Sequence, residues 1–396
     1  MSEPTNFCGI ICEFNPLHFG HSEIITRAKS IAPVVCVMSG NFVQRGEPAI
    51  LDKWSRTRLA LQNGADLVLE LPLPWACSGA ENFAYGAVSI LNSLGLSGTL
   101  LFGSECGNAV ILEETAGILL SKRFAAMLTQ ELESQKNSFA ATREKTLLLH
   151  FGKKYAEILQ KPNNILGIEY IKAIKNLSAD LKPLSIARLG AGHDTTALAG
   201  EFLSASEIRQ HILEEKDISN ILPQNTASLL TELISRGEAP HTIDSIERAI
   251  LACLRQMTRS DFAALPDISE GLEHKLFTSI QKAKSLEEVY ILTKSKRYSH
   301  ARIRRLVMSA FLGLRSNLPK RPPYIRVLGM NQTGETLIRK AKLTLPLAVR
   351  PSDFKRLGDD ALMLFELEAN ADNLYALSSP TISSCGNDYT QPIIKL

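Results

Sequence analysis

The sequence predicts an α/β fold in which a parallel sheet lies between layers of helices. Three features support this: short apolar runs typical of strands, segments of helical periodicity between them, and polar or glycine-rich residues where the runs end. Parallel strands are joined by crossover helices and buried on both faces, so they are nearly continuous apolar runs. Ligands bind beyond the carboxyl ends of such strands, and we expect the chemistry there.

Strands and helices alternate regularly in the first part of the chain. The predicted strands are FCGIIC, PVVCVMSG, DLVLELP and GTLLFGSE. The predicted helices cover about residues 20–31, 53–64 and 81–94. Asp52 can cap the second helix by accepting hydrogen bonds from its first amides, and Gly64 can end it. The polar strand ends are residues 15–21, 40–52 and 103–105.

The rest of the chain is mainly helical. Residues 113–149 predict polar helices, Pro162 precedes another helix, LKPLSIARLGAG predicts a fifth strand, and Ser204 or Ser206 can cap the helix SEIRQHIL. Residues 220–318 predict helices alone, and the prolines at 322–323 mark a boundary. A strand (YIRVLGMN), a helix (GETLIRKAK) and a second strand (LPLAV) follow. We therefore predict three regions: 1–205 around the sheet, a basic helical region at 206–320, and a small α/β tail at 321–396.

Composition indicates an ordinary globular protein. Of 396 residues, 45% are hydrophobic and 21% charged, and the net charge of +3 neither requires nor excludes a nucleic-acid partner. The seven cysteines include no CxxC pair, which predicts reduced thiols and no structural metal site. The first residues do not resemble a signal peptide and no apolar run reaches about 18 residues, so we expect a cytoplasmic protein without a membrane span.

The segment EFNPLHFGH carries the clearest chemical pattern. His18 and His21 stand three residues apart with Gly20 between them, where the first strand gives way to the first helix. Helix N-terminal amides favour anions, glycine permits close approach to the backbone, and imidazoles at i and i+3 share one face. Such donors can stabilise charge on an α-phosphate during nucleotidyl transfer. The alternatives are a surface pair or a metal pair, the latter lacking an evident third ligand.

Longer blocks resemble one family. They are GIICEFNPLHFGH, VMSGNFVQRGEPAILDKWSRTRLAL, DLVLELP, LFGSE, PNNILGIEYIKA, ARLGAGHD, SASEIR and SKRYSHARIRRL, in order from residue 9 to about 310. They resemble the bacterial tRNA(Met) cytidine acetate ligases of the HxGH nucleotidyltransferase superfamily. The resemblance implies a Rossmann-like, parallel-sheet nucleotidyltransferase domain followed by a helical domain. It also implies that acetate and ATP, with Mg²⁺, form acetyl-adenylate, whose acetyl group passes to N4 of the wobble cytidine (C34) of elongator tRNA(Met). No obligate protein partner is evident.

The resemblance also implies a set of ATP-binding residues, with His18 and His21 catalytic. The set is Ile11, Cys12, Glu13, Phe14, Asn15, Pro16, Leu17, His18, Phe19, Gly20, His21, Ile24, Gly103, Asn163 and Arg188. Asn163 is preferred to Asn164 because it directly follows the proline. From the residues alone, Gly103 is equally a turn glycine, Asn163 a helix cap and Arg188 a surface arginine.

Two further segments bear on the ligands. SASEIR resembles the serine-rich helix start that related enzymes place on the β- and γ-phosphates, which implies this role for Ser204, Ser206 and Arg209. Ala205 interrupts the serines and puts one hydroxyl contact in doubt. Ordinary helix capping explains the serines almost as well. The loop GNFVQRGEPAILDKW carries cations that can hold acetate, and the sequence does not distinguish among them.

A stretch without acidic residues runs from Val289 to Gly334. Its cations predict a tRNA-binding surface, for which we select Lys294, Lys296, Arg297, Arg302, Arg304 and Arg305. Tyr298 and His300 are candidates to stack on an unpaired base. The alternative is a solvated helix face.

The sequence leaves three functions open. The first is the acetate ligase that the resemblance implies. The second is an HxGH adenylyltransferase acting on a small metabolite, which has no need of a basic helical region. The third is a non-catalytic tRNA-binding protein with a relic nucleotide site, against which the intact His18, Gly20, His21 and Arg188 argue.

Overall fold

The computed structural model describes residues 6–134, 138–188, 203–269, 271–295 and 298–396. Its strands are β1 Phe7–Cys12, β2 Val34–Ser39, β3 Phe42–Val43, β4 Glu47–Pro48, β5 Leu67–Leu71, β6 Gly98–Ser104, β7 Leu181–Ala187, β8 Ile325–Met330, β9 Leu347–Ala348 and β10 Ile394–Lys395. The helices up to residue 176 are α1 Phe19–Lys29, α2 Lys53–Gln62, α3 Leu73–Ala76, α4 Ala80–Asn92, α5 Ala109–Leu120, α6 Lys122–Ser134, α7 Phe139–His150, α8 Lys153–Ile158 and α9 Pro162–Asn176. The later helices are α10 Ala205–Leu213, α11 Gln224–Ser235, α12 Glu247–Gln256, α13 Arg259–Ala263, α14 Leu272–Lys282, α15 Leu286–Thr293, α16 His300–Phe311, α17 Gln332–Lys340, α18 Pro351–Phe354, α19 Asp359–Tyr375 and α20 Asn387–Thr390, and a 3₁₀ turn spans Asp244–Ile246.

The main sheet confirms the predicted α/β class. Its strand order is β10-β8-β5-β2-β1-β6-β7, with β9 beside β8. The pairings among β5, β2, β1, β6 and β7 are all parallel. The chain leaves β1 for β2 on one side and later returns to place β6 on the other side of β1. The direction of winding therefore reverses between β1 and β6, which opens a crevice at their carboxyl ends.

Each face of the sheet packs against its own apolar layer, because successive strand side chains point to opposite faces. From β1, Phe7 joins the layer that contains α4 and α9. Cys8, Ile10 and Cys12 join the opposite layer with α1 and α2. A third apolar cluster fills the helical region of α12 to α16. The predicted helical character of residues 220–318 is confirmed for the residues that the structure describes.

The C-terminal tail does not stand apart from the sheet. β8 pairs antiparallel with β5, and β10 continues beside β8. The sequence predicts β8, α17 and β9 but neither β10 nor α18 to α20. The boundaries of the three regions stay a prediction, while the strands of the third region lie in the sheet of the first. In the described ranges, no helix is both long and apolar enough to cross a membrane.

A buried charge network joins the tail to the first region. Lys53 Nζ lies 2.8 Å from Glu70 and 2.6 Å from Asp388, while Arg326 lies 2.9 Å from Glu70 and 3.0 Å from Asp388. All four side chains are almost completely buried. Burial alone would raise the pKa of Asp388, but Lys53 and Arg326 outweigh it and hold that pKa well below its usual range. Loss of one member would leave uncompensated charge in the interior.

We expect Asp388→Asn to lower the free energy of unfolding by about 3–5 kcal/mol, because it removes one partner from a buried ion network. The matched control is Arg339→Ala, which breaks an i,i+4 pair with Glu335 whose arginine side chain is 75% exposed. That change should cost less than about 0.5 kcal/mol. Urea unfolding of the two variants gives the measurement. Equal losses would show that the buried network does not stabilise the fold.

Candidate nucleotide site

A cavity of about 280 Å³ opens at the carboxyl ends of β1, β6 and β7, next to the crevice between β1 and β6. Its lining comes from α1, the ends of β6 and β7, and the start of α10. The lining residues are His18, Gly20, His21, Glu23, Ile24, Gly103, Glu105, Ile186, Ala187, Arg188, Leu203, Ser204 and Glu207. The HxGH segment therefore lies where the sheet topology places a ligand site.

The backbone of the HxGH segment orients both imidazoles. His18 caps α1, and its Nδ1 accepts the Gly20 N–H at 3.1 Å. The His18 N–H in turn donates to His21 Nδ1 at 3.3 Å, and the two rings stack with centroids 3.8 Å apart. Because both Nδ1 atoms accept, a neutral ring must carry its proton on Nε2. Each histidine is then a hydrogen-bond donor through Nε2–H.

The environment keeps both imidazoles neutral near pH 7. Burial, followed by the positive charge of Arg188, lowers the pKa of His18 to about 4. Burial, followed by His18 and Arg188, lowers the pKa of His21 well below its usual value. The nucleotide site thus presents neutral donors beside one cation, and not an imidazolium pair. It can stabilise phosphate charge without titrating in the physiological range.

The glycine of the motif is required by the ring of His18. A Cβ at Gly20 would lie 3.0 Å from His18 Cε1 and 3.2 Å from Nδ1. Gly20 has an ordinary helical backbone with no positive φ, so conformational freedom does not explain the glycine. The small residue leaves room for the imidazole to fold back over the first turn of α1.

The opposite wall of the cavity holds Arg188 in place. Its Nη1 donates to Asn163 Oδ1 at 3.1 Å, and the Asn163 amide group donates to Glu105 at 2.8 Å. A Cβ at Gly103 would meet Arg188 Cγ at 3.1 Å, so that glycine admits the arginine stem. Burial raises the pKa of Glu105, but hydrogen bonds from Asn163 and Asn164 outweigh it and bring the pKa below its usual value. The charged carboxylate therefore anchors the start of α9.

The adjacent asparagines have different surroundings. Asn163 is partly exposed and contacts Arg188, whereas Asn164 is 2% exposed and accepts the Cys106 N–H at 3.1 Å. Of the two, only Asn163 lies beside the cation of the site. Its predicted role toward ATP stays a prediction.

The start of α10 forms the third side of the cavity. Ser204 caps this helix and exchanges hydrogen bonds with Glu207, as the capping alternative expects. Ser206 is exposed. Arg209 donates to the Asn15 carbonyl at 2.9 Å and pairs with Glu47 at 3.3 Å. Arg209 therefore ties α10 to both the HxGH segment and the β3–β4 hairpin.

The structure brings together part of the predicted ATP set. His18, Gly20, His21, Ile24, Gly103 and Arg188 line the cavity, and Asn163 contacts Arg188. The remaining predicted residues lie outside the lining: Ile11, Cys12, Glu13, Phe14, Asn15, Pro16, Leu17 and Phe19. Several of these are structural, since Asn15 accepts the Ile50 N–H at 2.8 Å and Glu13 accepts the Gln44 N–H at 2.7 Å.

Several lining residues were not predicted from the sequence. They are Glu23, Glu105, Ile186, Ala187, Leu203 and Glu207. The ends of β6 and β7 were recognisable as strand ends, and Glu105 belongs to a polar strand end at the predicted ligand edge. The resemblance of SASEIR pointed to the start of α10, with Ser204, but not to Leu203 or Glu207 beside it.

Lys53 of the loop GNFVQRGEPAILDKW and the nearby Arg56 of α2 are already engaged. Lys53 belongs to the buried charge network. Arg56 is fully buried and donates to the carbonyls of Leu51, Glu13, Ser39 and Gly40. Arg45 is exposed, and no described residue forms an ion pair or hydrogen bond with it. Lys53 and Arg56 therefore stabilise the fold, which removes Lys53 as a candidate for holding acetate.

The basic stretch lies against the β3–β4 hairpin. Gly46 has φ +72°, and a Cβ there would lie 2.9 Å from the main chain of Arg304 and Arg305. The hairpin pairs with Arg209 through Glu47, and Arg209 bonds to the HxGH segment. The start of α16 is thus connected to the cavity through a short chain of contacts.

The predicted tRNA-binding residues differ in accessibility. Lys294 is exposed, and the Arg304 side chain is 42% exposed. Arg302 is held by the Asp267 carbonyl, and burial lowers the pKa of Arg305. Lys296 and Arg297 lie outside the described residues. Their grouping as a tRNA surface stays a prediction.

One expectation about base stacking is wrong. Tyr298 is only 6% exposed and packs in the apolar cluster of the helical region. Its ring is covered by protein, so it cannot stack on an RNA base. His300, at the start of α16, is partly exposed.

We expect Gly20→Ala to weaken ATP binding about tenfold, because the added methyl displaces the His18 ring, and one such hydrogen bond to a charged group is worth about 1.5 kcal/mol. The variant should not lose stability, since alanine favours a helix over glycine by about 0.8–1 kcal/mol. Gly117→Ala in α5 is the matched control, because its Cβ would meet only Lys175 Nζ, at 3.8 Å. Titration calorimetry measures the ATP affinity of each variant, and thermal unfolding measures its stability. Wild-type ATP affinity in Gly20→Ala would contradict the steric role of the glycine.

The chain is similar over nearly its whole length to known proteins. Residues 5–389 match the family described as HIGH nucleotidyl transferase. A tRNA(Met) cytidine acetate ligase from Thermoanaerobacter sp. is 39% identical over 98% of this chain and 99% of its own. The protein of that name from Acetivibrio thermocellus is 36% identical over the same shares.

Solved structures agree with these matches. Apo Thermotoga maritima TmcAL superposes with a TM-score of 0.91 at 30% identity, covering 99% of this chain and all of that one. The same protein bound with alpha-thio ATP gives a TM-score of 0.90 at 29% identity. The predicted family is confirmed: the chain belongs to the HIGH nucleotidyl transferases and, within them, to the tRNA(Met) cytidine acetate ligase family.

Proposed function

We propose that this protein is an ATP-dependent ligase that acetylates N4 of the wobble cytidine of elongator tRNA(Met). In the first step an acetate oxygen attacks the α-phosphorus of ATP, giving acetyl-AMP and pyrophosphate. In the second, the cytidine N4 amine attacks the acetyl carbon, AMP leaves and the amine loses a proton. The observation that carries the proposal is the pair of neutral, stacked imidazoles in a cavity at the sheet switch point, in a chain of this family.

The two histidines act on the α-phosphate. Their Nε2–H groups supply preorganised donors for the charge that builds on the phosphate oxygens in the transition state. Neutral rings serve this purpose without proton transfer, so positioning and electrostatics provide the catalysis. The Gly20 N–H is occupied by His18, and its bond fixes the ring that donates to the phosphate.

Arg188 and the start of α10 are candidates to bind the β- and γ-phosphates of ATP. Arg188 carries a fixed cation at the cavity wall, and Asn163 orients it. The first amides of a helix attract anions. Mg²⁺ is expected with ATP, and the carboxylates Glu23, Glu105 and Glu207 at the cavity provide the oxygen chemistry that it prefers. Among the described residues, no three such side chains are grouped so that they could hold a metal ion by themselves.

Acetate needs a cation close to the HxGH segment. Arg209 is bonded to the main chain three residues before His18, and Arg45 on the neighbouring hairpin has no carboxylate partner in the described ranges. Since Lys53 and Arg209 are already engaged by carboxylates of the protein, Arg45 is the candidate that remains from this loop. An arginine can bind a carboxylate through two parallel hydrogen bonds.

The predicted basic surface at residues 294–305 would bind the tRNA substrate. Cations that contact phosphates position an RNA without reading its sequence. The link from α16 through the hairpin and Arg209 supports a tRNA surface beside the adenylation site. ATP and tRNA are both available in the cytoplasm, where we expect the protein to act.

The first test is acetate-dependent exchange of labelled pyrophosphate into ATP without tRNA. We expect wild-type activity, and a loss of roughly 10²–10³-fold in His18→Ala and in His21→Ala, the size typical of losing one oxyanion donor. His150→Ala at the exposed end of α7 is the control and should exchange normally. Normal rates in both folded site variants would refute the catalytic assignment. Exchange that depends on a different small acid would favour the metabolite adenylyltransferase.

The second test addresses the basic surface with Lys294→Ala/Arg304→Ala, which changes its two most exposed described cations. Each lost phosphate contact should reduce the log–log salt slope of tRNA binding by about 0.7–0.9, because fewer counterions are released. Cytidine acetylation should fall while pyrophosphate exchange continues. Lys153→Ala, with a side chain 78% exposed on α8, is the matched control. An unchanged salt slope in the double variant would show that Lys294 and Arg304 do not contact tRNA phosphates and that this stretch is a solvated helix face.

A further inference from the structure

The chain turns sharply between β1 and α1, at Phe14. This residue has φ +48°, in the left-handed region of backbone conformations. That conformation is uncommon for residues other than glycine and is an outlier for a bulky side chain. It costs free energy and persists only where the surrounding structure enforces it, and such residues cluster at functional sites. Phe14 belongs to the segment EFNPLHFGH, which carries both histidines of the site.

The residue before Phe14 is fixed by two hydrogen bonds. The main-chain carbonyl of Glu13 accepts from Nη1 of the fully buried Arg56 at 2.7 Å. The Glu13 carboxylate accepts the N–H of Gln44, in the β3–β4 hairpin, at 2.7 Å. Both donors are distant from Glu13 in the chain, so tertiary contacts hold this side of the turn.

The residue after Phe14 is held in the same way. Asn15 is 6% exposed, and its side-chain oxygen accepts the Ile50 N–H at 2.8 Å. Its main-chain carbonyl accepts from Arg209 Nη1 at 2.9 Å. Contacts from α2, the hairpin segment and α10 therefore enforce the left-handed turn from both sides.

The enforced turn places the ring of Phe14 against a histidine of the motif. Phe14 is 1% exposed and belongs to the apolar layer that contains α1 and α2. Its ring and the His21 imidazole meet edge to face, with centroids 5.1 Å apart and planes at 74°. The same imidazole stacks on His18 with centroids 3.8 Å apart. The imidazole of His21 is therefore packed against two rings.

The orientation of the His21 imidazole depends on this packing. The terminal torsion of a histidine side chain has broad minima, so it does not fix the ring by itself. The hydrogen bond from the His18 N–H to His21 Nδ1 is 3.3 Å, longer than the usual range. A donor that acts by preorganisation needs a ring whose angle is locked by its neighbours. Phe14 is the neighbour that the His18–His21 pair does not itself provide.

We propose that Phe14 is a positioning residue of the adenylation step: its ring, set in place by the enforced turn, holds the His21 imidazole at the angle from which it donates to the α-phosphate. Phe14 lies outside the lining of the nucleotide cavity, so it acts through His21 and not on ATP. This inference rests on the proposed function, which gives His21 its role toward the α-phosphate. It requires an aromatic ring at this position, which filling the apolar layer alone does not.

The first experiment measures acetate-dependent pyrophosphate exchange by Phe14→Leu, which keeps an apolar side chain and removes the ring. We expect kcat to fall about 10–100-fold, because a misplacement of about 1 Å can cost about 10²-fold. The KM for ATP should stay within about twofold, because an interaction made only in the transition state appears in kcat. Phe14→Met, whose flexible side chain fills irregular gaps, replaces this variant if it does not fold.

The matched control is Phe262→Leu. Phe262 is fully buried in the helical region, and its ring meets Phe277 edge to face, with centroids 6.3 Å apart. Its exchange kinetics should be those of the wild type. A wild-type kcat in Phe14→Leu, a raised KM with unchanged kcat, or an equal loss of kcat in Phe262→Leu would each overturn the proposal.

The second experiment observes the imidazoles by NMR and does not depend on activity. In the wild-type protein, nuclear Overhauser effects should connect the ring protons of Phe14 and His21. In Phe14→Leu the imidazole resonances of His21 should shift, while those of His150, exposed at the end of α7, should not. Missing contacts in the wild type or unshifted His21 resonances would overturn the proposal. Absence of exchange in the wild-type protein would instead refute the proposed function, so the two failures are distinguishable.

Discussion

The buried pairing of Lys53 and Arg326 with Glu70 and Asp388 is the constraint on which the rest of the structure depends. It joins α2 and β5 to β8 and α20, so the end of the chain closes the edge of the sheet. The same region fixes the start of the β3–β4 hairpin, because Asn41 accepts the Lys53 N–H and donates to Asp372. Such a network costs much desolvation and tolerates little change of geometry. It thereby sets where the hairpin can lie.

The hairpin transmits that constraint to the site. Glu47 pairs with Arg209, whose other hydrogen bond fixes the main chain of the HxGH segment, and Gly46 lets α16 approach. Gly46 and Glu47 of the hairpin thus connect three parts of the protein. These are the HxGH segment, the helix α10 and the helix α16. This arrangement suits an enzyme whose intermediate must be made next to the RNA that consumes it.

The cavity at the switch point presents neutral imidazoles and one oriented cation. Burial and Arg188 together keep the histidines uncharged, and backbone amides donate to both Nδ1 atoms, which leaves the proton of each neutral ring on Nε2. Arg188 is aligned by Asn163, and the Glu105 carboxylate in turn anchors Asn163. The position of Arg188 is therefore fixed by hydrogen bonds within the protein, which is how preorganised sites limit reorganisation during reaction.

Local sequence determined the strands of the parallel sheet, the Asp52 cap of α2, and the HxGH turn with its glycine, because each depends on neighbours within a few residues. The family blocks determined the class of enzyme. Only the tertiary structure decided that β8 and β10 join the sheet, that Lys53 and Arg56 are buried, that Tyr298 is covered, and that Glu207 of α10 lines the same cavity as His18. These features arise from contacts between residues distant in the chain, for which periodicity and spacing carry no signal.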